Sequence, residues 1–139
     1  MGRCAGNRDL RGWIERLTER NGFCALPVVV GKSQPLAFRR WSPGEPLKSG
    51  VWNIKIPKAG ENVRPNIVIA PVLGFDSYCF RLGYGGGYFD RTLATLSPKP
   101  RILGVGYACT EITTIYPQPH DIAMDMMVTE AGVSLPHKE

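Results

Sequence analysis

An α/β fold, with a mostly parallel sheet and helices on both faces in a single three-layer domain over residues 1–139, is the architecture this sequence predicts. Three observations point to it. Residues 24–30 and 67–72 are continuous apolar runs rich in β-branched side chains, the composition of strands buried in a parallel sheet. A glycine-rich turn separates the second run from a helix-like segment at 87–96, and another strand-like run follows at 101–108. Strand, turn, helix and strand in that order make a right-handed βαβ crossover, which requires a parallel pair. With 139 residues, 43% of them hydrophobic, the chain has the material for one core.

The first element is a helix, because Leu10, Trp13, Ile14 and Leu17 recur at i, i+3, i+4 and i+7 with charged residues between them. Asp9 is placed to cap it, and Asn21-Gly22 to close it. After the strand at 24–30, Gly31-Lys32-Ser33-Gln34 turns the chain into a second strand near residues 36–41. Residues 42–65 carry Pro43, Gly44, Pro46, Gly50, Pro57, Gly60 and Pro65, which leaves little room for regular structure. A loop of that length in a small domain is often functional. Ser97-Pro98 stops the helix that follows the glycine turn.

Charge is distributed unevenly. Residues 1–64 hold twelve Lys and Arg against five acids, and residues 65–139 hold five against seven, so +7 and −2 make up the net +5. The cations of the basic half are scattered over helix, strand and loop without a zinc-finger or RNA-recognition signature, so nucleic acid is not expected as a partner. The apolar runs fall far short of the roughly 18 residues that span a bilayer, so no membrane partner is expected either. Four cysteines at positions 4, 24, 79 and 109 form no Cys-x-x-Cys and indicate neither a disulfide framework nor a zinc site. A cytoplasmic setting fits them best. Neither the cysteines nor Ser33 have a recognisable histidine partner, and His120 before Asp121 reads as a solvated loop residue.

Arg81-Leu82-Gly83-Tyr84-Gly85-Gly86-Gly87-Tyr88-Phe89-Asp90-Arg91 is the most informative segment. Glycines let the backbone approach a ligand, and successive amides at a helix start attract phosphate. Arg81 and Arg91 bring charge-assisted donors, and Asp90 is a hard ligand for a divalent cation. The segment is not a dinucleotide fingerprint, since the third glycine position falls on Tyr88, and it lacks the Gly-Lys-Ser/Thr of a P-loop. Asp76, Asp121 and Asp125 stand elsewhere at expected strand ends or loops, Asp76 and Asp121 being suited to orienting loops.

Together with Leu73-Gly74-Phe75-Asp76 and Asp125-Met126-Met127-Val128-Thr129-Glu130, this segment resembles the signature of the 5-formyltetrahydrofolate cyclo-ligase family. The resemblance extends upstream through Ala25-Leu26-Pro27-Val28-Val29, Phe38-Arg39-Arg40-Trp41 and Gly50-Val51-Trp52-Asn53-Ile54, and covers residues 10–133. It implies ATP-dependent conversion of 5-formyltetrahydrofolate to 5,10-methenyltetrahydrofolate, with Mg2+, release of ADP and phosphate, and reduced folate and ATP as small-molecule partners. By the same resemblance Arg81 and Tyr88 are the catalytic candidates. The triphosphate is expected on Arg81, the backbone of Gly83, Tyr84, Gly85, Gly86 and Gly87, and Tyr88 and Asp90. Asp90 and Asp125 match the family's metal ligands.

Flat apolar walls for the pterin are expected from Trp52, Phe75, Tyr88 and Phe89. Trp52 alternatively plugs the core, and Phe75 alternatively is a packing residue. Phe89 stands where the family commonly has Tyr, one hydroxyl fewer. The family's basic N-terminal helix and a strand bearing an acid near the formyl group are not recognisable, so the chain is expected to be truncated at its start. An open sheet edge there would favour a homo-oligomer. The alternative to an active ligase is a non-catalytic nucleotide- or folate-binding fragment of the same fold.

Overall fold

A computed structural model describes residues 11–82 and 87–137, apart from the side chains of Arg11, Trp13 and Trp52. These residues fall into two compact units, 11–65 and 66–137. No helix among them is long and apolar enough to cross a membrane.

The first unit opens with α1 (Arg11–Glu19). Its end is closed as expected: Asn21 takes the left-handed conformation at φ 64°, and the Gly22 N–H reaches back to the Leu17 carbonyl at 2.9 Å. Strands β1 (Cys24–Val28) and β2 (Ala37–Trp41) follow, then β3 (Leu47–Ser49), β4 (Lys55–Pro57) and β5 (Asn62–Val63). β1, β2 and β5 form an antiparallel sheet with β2 in the centre, and β3 and β4 form a separate antiparallel hairpin around a 3-10 turn at Val51–Asn53.

Two expectations are corrected here. β1 is antiparallel to its neighbour and only partly buried, because the connection through residues 29–36 has hairpin length, whereas a parallel neighbour needs a crossover of a dozen or more residues. Pro27 also lacks the donor a central strand needs, which fits the edge position of β1. The Pro/Gly-rich segment holds three strands of two or three residues, too short to show an alternating pattern. Val28, Phe38 and Ile56 form the buried apolar centre of this unit.

The second unit contains β6 (Ile67–Pro71), β7 (Gly74–Phe75), β8 (Arg81–Leu82), α2 (Tyr88–Thr95), β9 (Arg101–Val105), β10 (Met126–Thr129) and β11 (Gly132–Ser134). Its main sheet has the order β11-β10-β9-β6. β6, β9 and β10 run parallel, so the crossover from β6 through α2 to β9 stands as the sequence predicts, while β11 returns antiparallel to β10. Among the described residues two of seven strand pairings are parallel. The architecture is thus α/β with mixed sheets and few helices, and the expected mostly parallel sheet with helices on both faces is corrected accordingly. This unit has one α-helix among its described residues, α2.

β6 alternates, with Val68 and Ala70 buried and Ile67 and Ile69 exposed. On the buried side, Ile102, Met124 and Met127 are sealed from solvent. Gly104 makes room for the two methionines: a β-carbon there would clash with Sδ of Met124 and stand 2.7 Å from Sδ of Met127. Both side chains are fully buried and have nowhere to retreat. Gly104→Ala is therefore expected to destabilise the fold by about 2 kcal/mol. Urea denaturation with an unchanged midpoint would contradict this packing argument.

Cys24 and Cys79 are free thiols, and burial raises the pKa of both, so neither is poised as a nucleophile. Cys109 is disulfide-bonded, which the cysteine spacing did not indicate.

Candidate functional site

α2 begins where the crossover leaves the carboxyl end of β6, the position at which open α/β sheets accept ligands. Between them the β7–β8 hairpin brings Arg81 back toward the helix start. Gly83, Tyr84, Gly85 and Gly86 lie outside the described residues. Gly87 is described, with φ 64° immediately before the first turn of α2. A β-carbon at Gly87 would be strained by that φ and would stand 3.9 Å from the Arg91 guanidinium, so Arg91 lies against the turn.

Arg81 is the centre of the site. Its side chain is only 7% exposed, and Nη2 stands 3.5 Å from Oδ1 of Asp90, itself 16% exposed. The guanidinium carbon lies 4.9 Å from the centre of the Phe89 ring. Nε and Nη2 are buried without a hydrogen-bond partner among the described residues. Burial pulls Arg81 below its ordinary pKa, and Asp90 and then Asp121 push it back up. A buried cation whose donors are unspent is arranged to receive an anion.

The carboxylates around it are held by backbone amides. Oδ1 of Asp90 accepts the Ile122 N–H at 3.2 Å, which ties the segment after β9 to the first turn of α2. Oδ2 of Asp121 accepts the Gln118 N–H at 2.7 Å, and the Asp121 N–H returns to the Gln118 carbonyl at 2.9 Å. His120 is exposed, with Nε2 3.6 Å from Oδ1 of Asp121. Asp76, 2% exposed, accepts the Tyr78 and Phe80 amides at Oδ1 and the Ile115 amide at Oδ2. Both Asp76 and Asp121 thus orient loops, as expected.

Asp125 is engaged elsewhere. Its Oδ2 accepts the Ile102 N–H at 2.7 Å and its own N–H donates to the Ile102 carbonyl at 2.8 Å, which pins it beside the second residue of β9. Asp90 and Asp125 share no hydrogen-bond partner, and no group of three or more His, Cys, Asp or Glu side chains forms a metal cage among the described residues. The donor chemistry nonetheless suits magnesium, which takes one or two carboxylates and keeps several waters. Each carboxylate spends one oxygen on a backbone amide and retains a second.

The aromatic candidates are dispersed. Phe75 is buried at 3% exposure, in keeping with a packing role. Tyr88 and Phe89 are half-buried at the start of α2, and the Trp52 side chain lies outside the described residues. A cavity of about 490 Å³ is lined by Asp76, Tyr78, Phe80, Thr114 and Pro117. None of these was singled out as a ligand contact, because their convergence depends on the segment after β9 folding over the β7–β8 hairpin. Glu130 was likewise passed over: both its carboxylate oxygens accept the Ala108 N–H, joining the carboxyl ends of β10 and β9.

Residues 7–130 match the model of the 5-formyltetrahydrofolate cyclo-ligase family. The chain is 31% identical over 131 residues to the 5-formyltetrahydrofolate cyclo-ligase of Haemophilus influenzae, covering 88% of this chain and 70% of that protein. To the protein of the same name from Escherichia coli K12 it is 30% identical over 135 residues, 92% of this chain and 74% of that one. Its structure is similar to the NMR structure of Aquifex aeolicus 5,10-methenyltetrahydrofolate synthetase, with TM-score 0.76 and 29% identity, over 96% of this chain and 68% of that chain. The Mycoplasma pneumoniae 5,10-methenyltetrahydrofolate synthetase shares the fold with TM-score 0.62 and 21% identity, over 84% of this chain and 61% of that chain.

Proposed function

The chain belongs to the 5-formyltetrahydrofolate cyclo-ligase family, and from that premise we propose that it binds ATP with magnesium at the glycine turn and converts 5-formyltetrahydrofolate to 5,10-methenyltetrahydrofolate, ADP and phosphate. The observation that carries the reading is the Arg81 guanidinium, buried beside the start of α2 with Nε and Nη2 lacking a hydrogen-bond partner among the described residues.

In this reading the formyl oxygen attacks the γ-phosphorus of ATP as ADP leaves, N10 attacks the formyl carbon of the resulting imino-phosphate and gives up its proton, and phosphate leaves as the ring closes. Such a transfer asks the protein chiefly for in-line placement and charge neutralisation. Arg81 would offer two charge-assisted donors to the phosphate, and the family resemblance assigns it further donors from the glycine turn, of which Gly87 is described. Tyr88, the first residue of α2, would border the transferred group. Asp90 and Asp125 would hold magnesium, which when bound would offset the negative charge of the phosphates. Tyr88, half-buried at the start of α2, would offer an apolar face to the pterin.

The test is formation of the methenyl product, followed by its absorbance, with ATP, Mg2+ and 5-formyltetrahydrofolate. Product is expected to accumulate only when all three are present. Nucleotide and folate binding without turnover would reduce the chain to a binding module of the same fold, and failure to bind either would end the proposal.

A further inference from the structure

We propose that Phe89 is a positioning residue for Arg81, holding one face of its guanidinium so that the donors stay free for the nucleotide's phosphate. The inference rests on the proposed role of Arg81 at the glycine turn, and it assigns Phe89 to the phosphate end of the site in place of the pterin wall.

A guanidinium carries its N–H donors around its rim and none on its faces. A carboxylate that fixes it does so by accepting those donors, which removes them from any incoming anion. An aromatic ring fixes it through the face, and leaves the rim unspent. Arg81 shows this division of labour. The Phe89 ring stands 4.9 Å from its central carbon, while Asp90 approaches Nη2 at 3.5 Å without completing a hydrogen bond. Among the described residues Nε and Nη2 therefore have no hydrogen-bond partner, in a side chain only 7% exposed.

Regular backbone carries both partners of the stack. Arg81 lies in β8, tied to β7, and Phe89 is the second residue of α2, one position before the Asp90 that is anchored by the Ile122 amide. Phenylalanine has no hydroxyl, so its polar contribution is confined to the ring face. A stack of this kind in a desolvated setting is worth about a factor of ten in the population of the aligned guanidinium.

The experiment uses the whole chain and titration calorimetry with ATP, alongside KM for each substrate. Phe89→Leu, which keeps bulk and loses the π face, is expected to weaken ATP binding and raise the ATP KM about tenfold, with Tm and the 5-formyltetrahydrofolate KM unchanged. Phe89→Tyr is expected to bind ATP as the unaltered chain does. If Phe89→Leu folds poorly, Phe89→Met supplies the same comparison. An ATP Kd within twofold of the unaltered chain, or a raised folate KM with ATP affinity intact, would overturn the assignment. Arg81→Met serves as the reference: loss of ATP binding there with none in Phe89→Leu refutes the stack alone, whereas undiminished binding in Arg81→Met refutes the phosphate role as well.

Discussion

Arg81→Met is expected to lower ATP affinity about a hundredfold or more while leaving the melting temperature within a few degrees of the unaltered chain. The two halves of this result have separate causes. Each hydrogen bond to a charged partner contributes about 1.5–3 kcal/mol, and Arg81 has two donors, Nε and Nη2, without a hydrogen-bond partner among the described residues. Their loss is felt in full only when an anion is bound. In the unliganded chain, the same guanidinium is buried at the cost of its hydration, with the ion pair to Asp90 at 3.5 Å and the Phe89 ring as compensation. Methionine fills a similar volume against the Phe89 ring and removes that cost. Asp90 keeps the Ile122 amide, so its carboxylate is not stranded. Calorimetric ATP titration and thermal melting on the same samples decide the matter. A variant that melts far lower would show that Arg81 supports the fold, and one that binds ATP normally would remove the phosphate reading.

The parts of this fold that were legible in the sequence are those fixed by neighbours in the chain. The β6–turn–α2–β9 crossover follows from an apolar run, a glycine cluster, a helical segment stopped by Ser97-Pro98 and a second apolar run. The closure of α1 at Asn21-Gly22 is equally local. What failed depended on pairing partners. An apolar run such as residues 24–30 carries no mark of strand direction, and the shorter clue, Pro27 within it, was outweighed by composition. Strands such as Asn62–Val63 and Gly132–Ser134 exist because a longer strand lies beside them, and two or three residues cannot display a period.

The site divides in the same way. Arg81, Phe89 and Asp90 were named from one contiguous motif, and the structure does bring them together. The anchoring of Asp90 by Ile122 spans 32 positions, and that of Asp125 by Ile102 spans 23, so neither was accessible from the motif. Composition assigned Phe89 to the pterin because aromatic residues are good stacking surfaces. It could not specify which planar group would occupy that face, and in this chain it is a guanidinium.

Asp76→Ala is expected to destabilise the fold by about 3 kcal/mol, since a single buried carboxylate satisfies three backbone amides and each stranded amide costs about 1 kcal/mol or more. Two of the amides, Tyr78 and Phe80, belong to its own turn between β7 and β8, and the third, Ile115, belongs to the segment after β9. That segment continues to Asp121 and Ile122, the neighbours of Arg81 and Asp90, so the loss reaches the surroundings of Arg81. Asp76→Asn separates the two effects. Its oxygen is able to keep the Tyr78 and Phe80 amides, but its NH2 group then faces the Ile115 N–H, donor against donor. Hydrogen exchange should accordingly show all three amides deprotected in the alanine variant and Ile115 alone in the asparagine variant, with the stability loss about a third as large. If Ile115 stays protected in both, the segment after β9 is held by something other than Asp76, and the coupling between that carboxylate and the Arg81 site has no structural route.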